Sequence, residues 1–387
     1  MDEELRKYDE IRPFEPEELP EAYDRLQGNA QFQAVTKYLY PDVPFAAIAQ
    51  KMHTCKTSLE FQKTFCYSFL KNLLAKYSTG YEIDTSDIDN TQRYTFMSNH
   101  RDIVLDSAFL DKLLLDAGFT TTCEIAIGNN LLSLPWIKDM VRVNKSFIVE
   151  RDLPMRQMLM ASKRLSDYMH YAVRRKHENV WIAQREGRAK DSNDRTQEAV
   201  LKMMAMGGDG SAIDRLAQLH IVPLSISYEY DPCDYLKAQE YQLRRDVPDW
   251  KKGPQDDLIS MQTGIAGFKG HIHYHCAPCL DDYLHRLPTD IPKNEVFLHI
   301  ARHIDREIHR NYRLYPANYI ALDLLQGTRQ HEVKYSVNES LFFKNYLTGQ
   351  IQKIQIPGKD EAYLRERMLT MYANPAINYL AAHEESK

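Results

Sequence analysis

A chain of 387 residues with 43% hydrophobic and 27% charged side chains carries enough apolar material for the core of two or three domains, which excludes a disordered protein. Its 54 acidic residues against 49 basic ones leave a formal charge of −5, so no bulk basic field points to nucleic acid and any anion site has to be local. Six cysteines (Cys55, Cys66, Cys123, Cys233, Cys276, Cys279) are too sparse for a disulfide scaffold, and the acidic opening lacks the basic head and apolar stretch of a signal peptide. The expectation is a reduced, cytoplasmic protein. The longest uncharged apolar-rich run, Ile125 to Ile137, has thirteen residues including Asn129 and Asn130, short of the roughly 20 a bilayer-spanning helix needs. Attachment to a lipid surface stays open.

The first 85 or so residues read as helical, in short segments punctuated by Pro13, Pro16, Pro20, Pro41 and Pro44 and then an amphipathic run from Ser58 to Tyr77. In that run Leu59, Phe61, Phe65, Phe69, Leu73 and Leu74 form a stripe that suits a core face better than a membrane-facing one. From Arg93 to about Glu229 short apolar runs alternate with helical ones, which predicts a sheet flanked by helices. Strands are expected near residues 94–97, 123–127, 146–149, 180–183 and 221–227, with helices at 103–117, 131–141, 154–177 and 195–204. Met206 to Ser211, MGGDGS, reads as a flexible turn. A further strand is expected at about 269–276, and the spacing is helical again from Asn294. The predicted architecture is α/β: a helical region over 1–85, an α/β catalytic domain over 86–285 with a central mixed sheet, and a helical extension over 286–387.

The most informative point is Ser98-Asn99-His100-Arg101-Asp102, where an apolar strand ends and a helix begins, with Asp106 one turn further on. An imidazole can take a proton from a hydroxyl near pH 7, and a nearby carboxylate can hold its tautomer and stabilise the imidazolium. Asp106 shares a helix face with Ile103, Leu110 and Leu113, so it approaches apolar surroundings and needs a partner, for which His100 is nearest. The bland alternative is that Asp102 or Asp106 only caps the first turn. Three weaker signals follow: Glu150-Arg151 after one strand, Arg185-Glu186-Gly187-Arg188 after the next, and Val222-Pro223-Leu224 opening a buried-looking strand. Gly187 would let backbone approach a ligand, and Arg151, Arg188 and Lys190 could clamp a phosphate.

In this order the blocks resemble those of the glycerolipid acyltransferases, which acylate glycerol 3-phosphate and 1-acyl-glycerol-3-phosphate. Asn99-His100 with its downstream Asp resembles the first block, Phe147-Ile148-Val149-Glu150-Arg151 the second, Arg185-Glu186-Gly187-Arg188 the third and Val222-Pro223-Leu224 the fourth. The likeness covers about residues 100–228. It departs in the first block, where His100 to Asp106 is His-x5-Asp instead of His-x4-Asp, and in the third, where Ala183-Gln184 stands in place of Phe-Pro. Asp106 is favoured as the acid orienting His100, with Asp102 as the alternative. The resemblance implies direct acyl transfer from acyl-CoA or acyl-carrier protein to a hydroxyl of a lysolipid or glycerol-phosphate acceptor, without a covalent acyl-enzyme. It also implies that Arg151, Glu186, Gly187 and Arg188 bind the phosphorylated glycerol backbone, that no cofactor or metal is needed beyond the donor thioester, and that the protein works at the inner face of the membrane. The competing reading is a non-catalytic lipid- or carrier-binding protein whose first block has degenerated.

Other signals weigh less. His271, His273 and His275 alternate along a strand that leads to Cys276 and Cys279, but crowding of all candidates into nine residues argues against a zinc site and against a metal-dependent hydrolase; the expected reading is an exposed histidine face with Ile272, Tyr274 and Cys276 turned inward. Arg174-Arg175-Lys176 reads as a helix end, or as a basic patch for lipid headgroups or an acidic carrier. Met203, Met204 and Met206 could line an acyl channel or fill core gaps. The segment with Arg302, His303, Arg306, His309, Arg310 and Arg313 shows no ligand spacing and reads as an appendage.

Overall fold

Phe96 and Met97 are consecutive and fully buried, yet they enter different hydrophobic cores, as a strand covered by helices on both faces requires. The computed structural model describes residues 3–132, 134–288 and 290–384. Its seven strands are β1 (Gly80–Asp84), β2 (Thr95–Ser98), β3 (Cys123–Gly128), β4 (Ser146–Val149), β5 (Asn179–Ala183), β6 (Ile221–Tyr228) and β7 (His271–Cys276). They form one sheet in the order β1-β7-β6-β2-β5-β3-β4. Neighbours are parallel except β6 and β7, which pair antiparallel. Strands β2, β3, β4, β5 and β6 therefore end at one edge, where open α/β sheets carry their ligands.

On one face the helices Tyr67–Tyr77 and Leu105–Asp116 lay Leu70, Leu73, Phe109, Leu110 and Leu113 over Phe96, Trp181, Val222, Leu224 and Tyr274. On the other face Met155–Arg174 and Val296–Arg310 lay Leu165, Met169, Ile300, Ile304 and Ile308 over Met97, Phe147 and Ile182. Two smaller cores flank the sheet. An N-terminal one gathers Tyr23, Phe32, Met52 and Phe61, and a C-terminal one gathers Ile320, Phe343, Leu347, Leu364 and Tyr372. Phe109 is fully buried, so Phe109→Ala should cost about 3–5 kcal/mol of unfolding free energy, read as a lower urea midpoint with unchanged slope.

The strands expected at β2 to β7 are present, and so is the alternation that buries Ile272, Tyr274 and Cys276. The histidine face of β7 is not exposed: the strand lies between β1 and β6, leaving His273 and His275 half-buried beside Glu82 and Asp84. Residues 80–84, read as part of a helical region, are instead the edge strand β1. The helix expected from residue 131 begins at Pro135, whose fixed φ and missing N–H suit the first helical position. The helix expected from 195 begins at Glu198, because Asp305 takes both the backbone N–H and the hydroxyl of Thr196 and holds that stretch extended. The helices Asp234–Asp246 and Pro254–Ala266 had no counterpart in the sequence reading. Among the described residues no helix is long and apolar enough to cross a membrane.

Candidate active site

Beyond β2 the chain turns through residues 99–104 before the Leu105–Asp116 helix begins, and this turn is fastened on every side. The Asn99 side chain amide donates to the Ile226 carbonyl (2.9 Å) and accepts from the Ile226 N–H (2.8 Å), clamping the turn to β6. Arg101 pairs with the buried Asp194 at 2.7 Å, and its carbonyl accepts from Lys237 Nζ at 3.2 Å. Asp194 in turn accepts from the Tyr312 hydroxyl at 3.0 Å, while its carbonyl lies 2.9 Å from His309 Nε2. The C-terminal segment read as an appendage thus packs directly behind the turn. Burial there drives the His309 imidazole down to about 4.

Between these fixed points His100 Nδ1 sits 2.8 Å from Asp106 Oδ2. The same oxygen accepts from the N–H groups of Arg101 (2.6 Å) and Asp102 (3.0 Å), while Oδ1 accepts from the Tyr228 hydroxyl at 3.0 Å. A carboxylate receiving two backbone donors on the oxygen that faces the ring acts as acceptor there, which puts the imidazole proton on Nδ1. Side-chain exposure is 1% for Asp106 and 13% for His100, so the carboxylate is shielded while the imidazole is reachable. The ring edge of His100 meets Trp181 at 5.5 Å. Asp102 does something else: its Oδ1 accepts from the N–H groups of Val104 and Leu105 at 2.9 and 2.8 Å, capping the helix start. Burial pushes its carboxyl above the usual range, with the Asp106 charge adding to the shift. Of the two acids, Asp106 is the one on His100. The additional residue of the His-x5-Asp spacing is taken up in the turn before the helix, so Asp106 still faces back toward the ring.

His100 opens on a cavity of about 1060 Å³ at the carboxyl edge of the sheet, which also receives Arg151, Arg185, Glu186, Gly187, Arg188 and Lys190. Arg151 lies 3.6 Å from Glu186, and its N–H donates to the Asn129 side chain at 3.2 Å. A Cβ at Gly128 would fall 2.4 Å from Asn130 Oδ1 and 2.9 Å from Arg151 Nε, so a side chain there would push both groups aside at the end of β3. Gly187 has φ +66°, the left-handed region that glycine favours. Arg188 Nη1 and Arg185 Nε are buried without a hydrogen-bond partner among the described residues, an arrangement that asks for an anion. Lys190 is held by Glu240. Sequence reasoning passed over Arg185, which stands next to Glu186, and over Tyr228, whose signal lay in its place at the end of the Pro223 strand. Met203 lines the cavity, whereas Met204 is core.

The basic run reads differently in space. Lys176 is drawn inward between Glu15 (3.0 Å) and Glu124 (2.8 Å), and Arg174 reaches Asp209, so the run is not a free cationic patch. The MGGDGS turn is pinned: Gly207 N–H donates to Ser166 Oγ at 2.8 Å. The amphipathic stripe faces inward at Phe61, Leu73 and Leu74. Phe65 and Phe69 instead line a second, apolar cavity of about 280 Å³, which shares Val104, Ala108 and Asn144 with the first.

Tyr228 makes a testable case. Tyr228→Phe removes one hydrogen bond to Asp106 without opening a cavity, and a hydrogen bond to a charged group contributes about 1.5–3 kcal/mol. Turnover is expected to fall about tenfold or more with little change in the Michaelis constant, measured by steady-state kinetics with both substrates varied.

His100 on a fastened turn, Asp106 behind it and the arginines across the cavity make up the candidate site. Residues 82–227, which run from β1 to β6 and contain all these blocks, match the family model described as Acyltransferase. This stretch coincides with the four blocks that resemble those of the glycerolipid acyltransferases. Among solved structures it is similar to the 1-acyl-sn-glycerophosphate (LPA) acyltransferase PlsC from Thermotoga maritima, at 12% identity and a TM-score of 0.37, over 71% of this chain and 86% of that one. An overlap so loose carries no argument about fold or activity. No curated protein matches the chain.

Proposed function

We propose that the chain transfers a fatty acyl group from acyl-CoA or acyl-carrier protein to the free hydroxyl of a lysophospholipid of the 1-acyl-glycerol-3-phosphate type. The observation that carries this reading is the His100–Asp106 pair at 2.8 Å on the rim of a cavity walled by Arg151, Arg185 and Arg188. With Nδ1–H held by Asp106, His100 Nε2 takes the acceptor hydroxyl proton as the oxygen attacks the thioester carbonyl. The tetrahedral intermediate then expels the thiolate, breaking the C–S bond, and the proton on Nε2 passes to sulfur. No side chain is acylated on this route, and it needs no cofactor beyond the donor.

The acceptor phosphate is assigned to Arg188 and Arg185, whose buried Nη1 and Nε have no hydrogen-bond partner among the described residues, and to Arg151, with Glu186 and Gly187 assigned to the glycerol backbone. The apolar cavity lined by Phe65, Phe69 and Leu70 meets the first at Val104 and Ala108 and suits a hydrocarbon chain. Access from a membrane is supported by Met155, Leu159 and Met160, 90%, 62% and 66% exposed, on the helix whose Met158, Ala161 and Ser162 line the cavity. These exposed side chains support our reading of a cytoplasmic protein that works peripherally at the inner membrane face.

Matched acceptors test the reading: 1-acyl-glycerol-3-phosphate, glycerol 3-phosphate and the dephosphorylated monoacylglycerol, each offered with acyl-CoA and with acyl-carrier protein. The expected result is acylation of the phosphorylated lysolipid, with a Michaelis constant well below that of the monoacylglycerol. Equal use of both lysolipids would remove the phosphate assignment.

A further inference from the structure

Cys279, weighed in the sequence against the histidines of β7, finds other partners in three dimensions. Donor atoms of His220, Cys279 and Asp281 all lie within 4.8 Å of one another. Among the described residues this is the one group of three His, Cys, Asp or Glu donors gathered so closely. The three come from separate places: His220 ends the loop entering β6, Cys279 follows β7, and Asp281 opens the short helix Asp281–His285.

Backbone bonds bring them together. Leu280 N–H donates to the Ile221 carbonyl at 2.8 Å, and Ala277 N–H donates to the Pro223 carbonyl at 2.9 Å. Leu280 is flanked by Cys279 and Asp281 and Ile221 is preceded by His220, so that one bond places all three side chains side by side. His220 Nδ1 lies 2.6 Å from Asp281 Oδ2. The other Asp281 oxygen, Oδ1, is buried and has no hydrogen-bond partner among the described residues, which an ion would supply. His220 itself adopts φ 47° without being glycine.

From this geometry we infer that His220, Cys279 and Asp281 form a zinc site. A thiolate, an imidazole and a carboxylate together are a zinc donor set, and three protein ligands leave a fourth position for water. His220 is half exposed, so an ion has a way in. The site is remote from the acyl-transfer centre. Ile221 pairs with Thr95 at the start of β2, whereas His100 follows Ser98 at its end, which places the two sites at opposite ends of the sheet. A metal here would join the start of β6 to the segment after β7, the junction where the sheet changes from parallel to antiparallel.

The test uses the full chain purified without chelator, with metal content measured by mass spectrometry, then stripped and titrated with Co²⁺. One zinc per chain as isolated is expected, and on titration one Co²⁺ with a thiolate-to-cobalt charge-transfer band. Cys279→Ser should lose that band, His220→Ala should lose stoichiometric binding, and added zinc should raise the melting temperature of wild type but of neither variant. Circular dichroism establishes that each variant is folded; the exposed position of His220 makes its replacement the safer of the two. Folded wild type that takes up neither ion, or a charge-transfer band that persists in Cys279→Ser, would overturn the site. The readout is metal and not turnover, so the result stands apart from the acyl-transfer reading.

Discussion

His100→Ala and Asp106→Asn are each expected to lower kcat for acyl transfer by about 10²–10⁴-fold, the range a positioned general base contributes. The two should be far from additive, because the acid acts only through the ring: combining them should cost little more than His100→Ala alone. Asp106→Asn keeps the side chain's size, but its amide can present an N–H where Oδ2 now accepts from Arg101 N–H, Asp102 N–H and the imidazole. The ring then loses the contact that fixes its proton on Nδ1. Asp102→Asn is the control. Its Oδ1 caps Val104 and Leu105, a role an Asn oxygen fills nearly as well, so kcat should stay within a few-fold of wild type. If Asp102→Asn proved as damaging as Asp106→Asn, the assignment of the orienting acid would be wrong.

Arg188→Ala is expected to raise the Michaelis constant for a phosphorylated acceptor by about 10- to 100-fold while kcat changes little, since charged hydrogen bonds contribute about 1.5–3 kcal/mol each. The buried Nη1 of Arg188 has no hydrogen-bond partner among the described residues, so removing it breaks no such bond there and the loss should appear in binding. The charge of Arg188 also reaches Asp102, where it offsets a little of the upward push of burial, and Asp231, where it adds to the larger lowering by Lys237. Arg188→Lys retains that charge without the planar fork and should recover only part of the loss. Steady-state kinetics with the dephosphorylated acceptor completes the test, because Arg188→Ala should leave its Michaelis constant unmoved. An equal rise for both acceptors would point to a distorted cavity and not to a lost phosphate contact.

Much of the fold was legible because the sheet's interior strands write their burial as short apolar runs: Phe96-Met97 and Val180-Trp181-Ile182 are apolar at consecutive positions because helices cover both faces. Edge strand β1 was not legible, since Gly-Tyr-Glu-Ile-Asp has one covered face and one neighbour. In the site, local order was enough to bring forward His100, Arg151, Glu186, Gly187 and Arg188, which meet at one cavity, together with the two candidate acids Asp102 and Asp106. What stayed hidden came from far along the chain. Tyr228 is 122 residues from Asp106, and the pairing of Arg101 with Asp194, backed by Tyr312, joins three separate elements. The choice between Asp102 and Asp106 was equally beyond spacing, because it depends on where the turn before the helix absorbs one residue. His220 and Asp281 escaped attention for the same reason, their nearness to Cys279 arising from a backbone bond between β6 and the segment after β7.

The most direct measurement is product formation by wild type and by His100→Ala, each shown folded by circular dichroism, with labelled acyl-CoA or acyl-carrier protein and 1-acyl-glycerol-3-phosphate, followed by mass spectrometry. The account predicts diacylated phospholipid from wild type and almost none from His100→Ala. Undiminished product from His100→Ala, or none from folded wild type that binds both substrates, would contradict it.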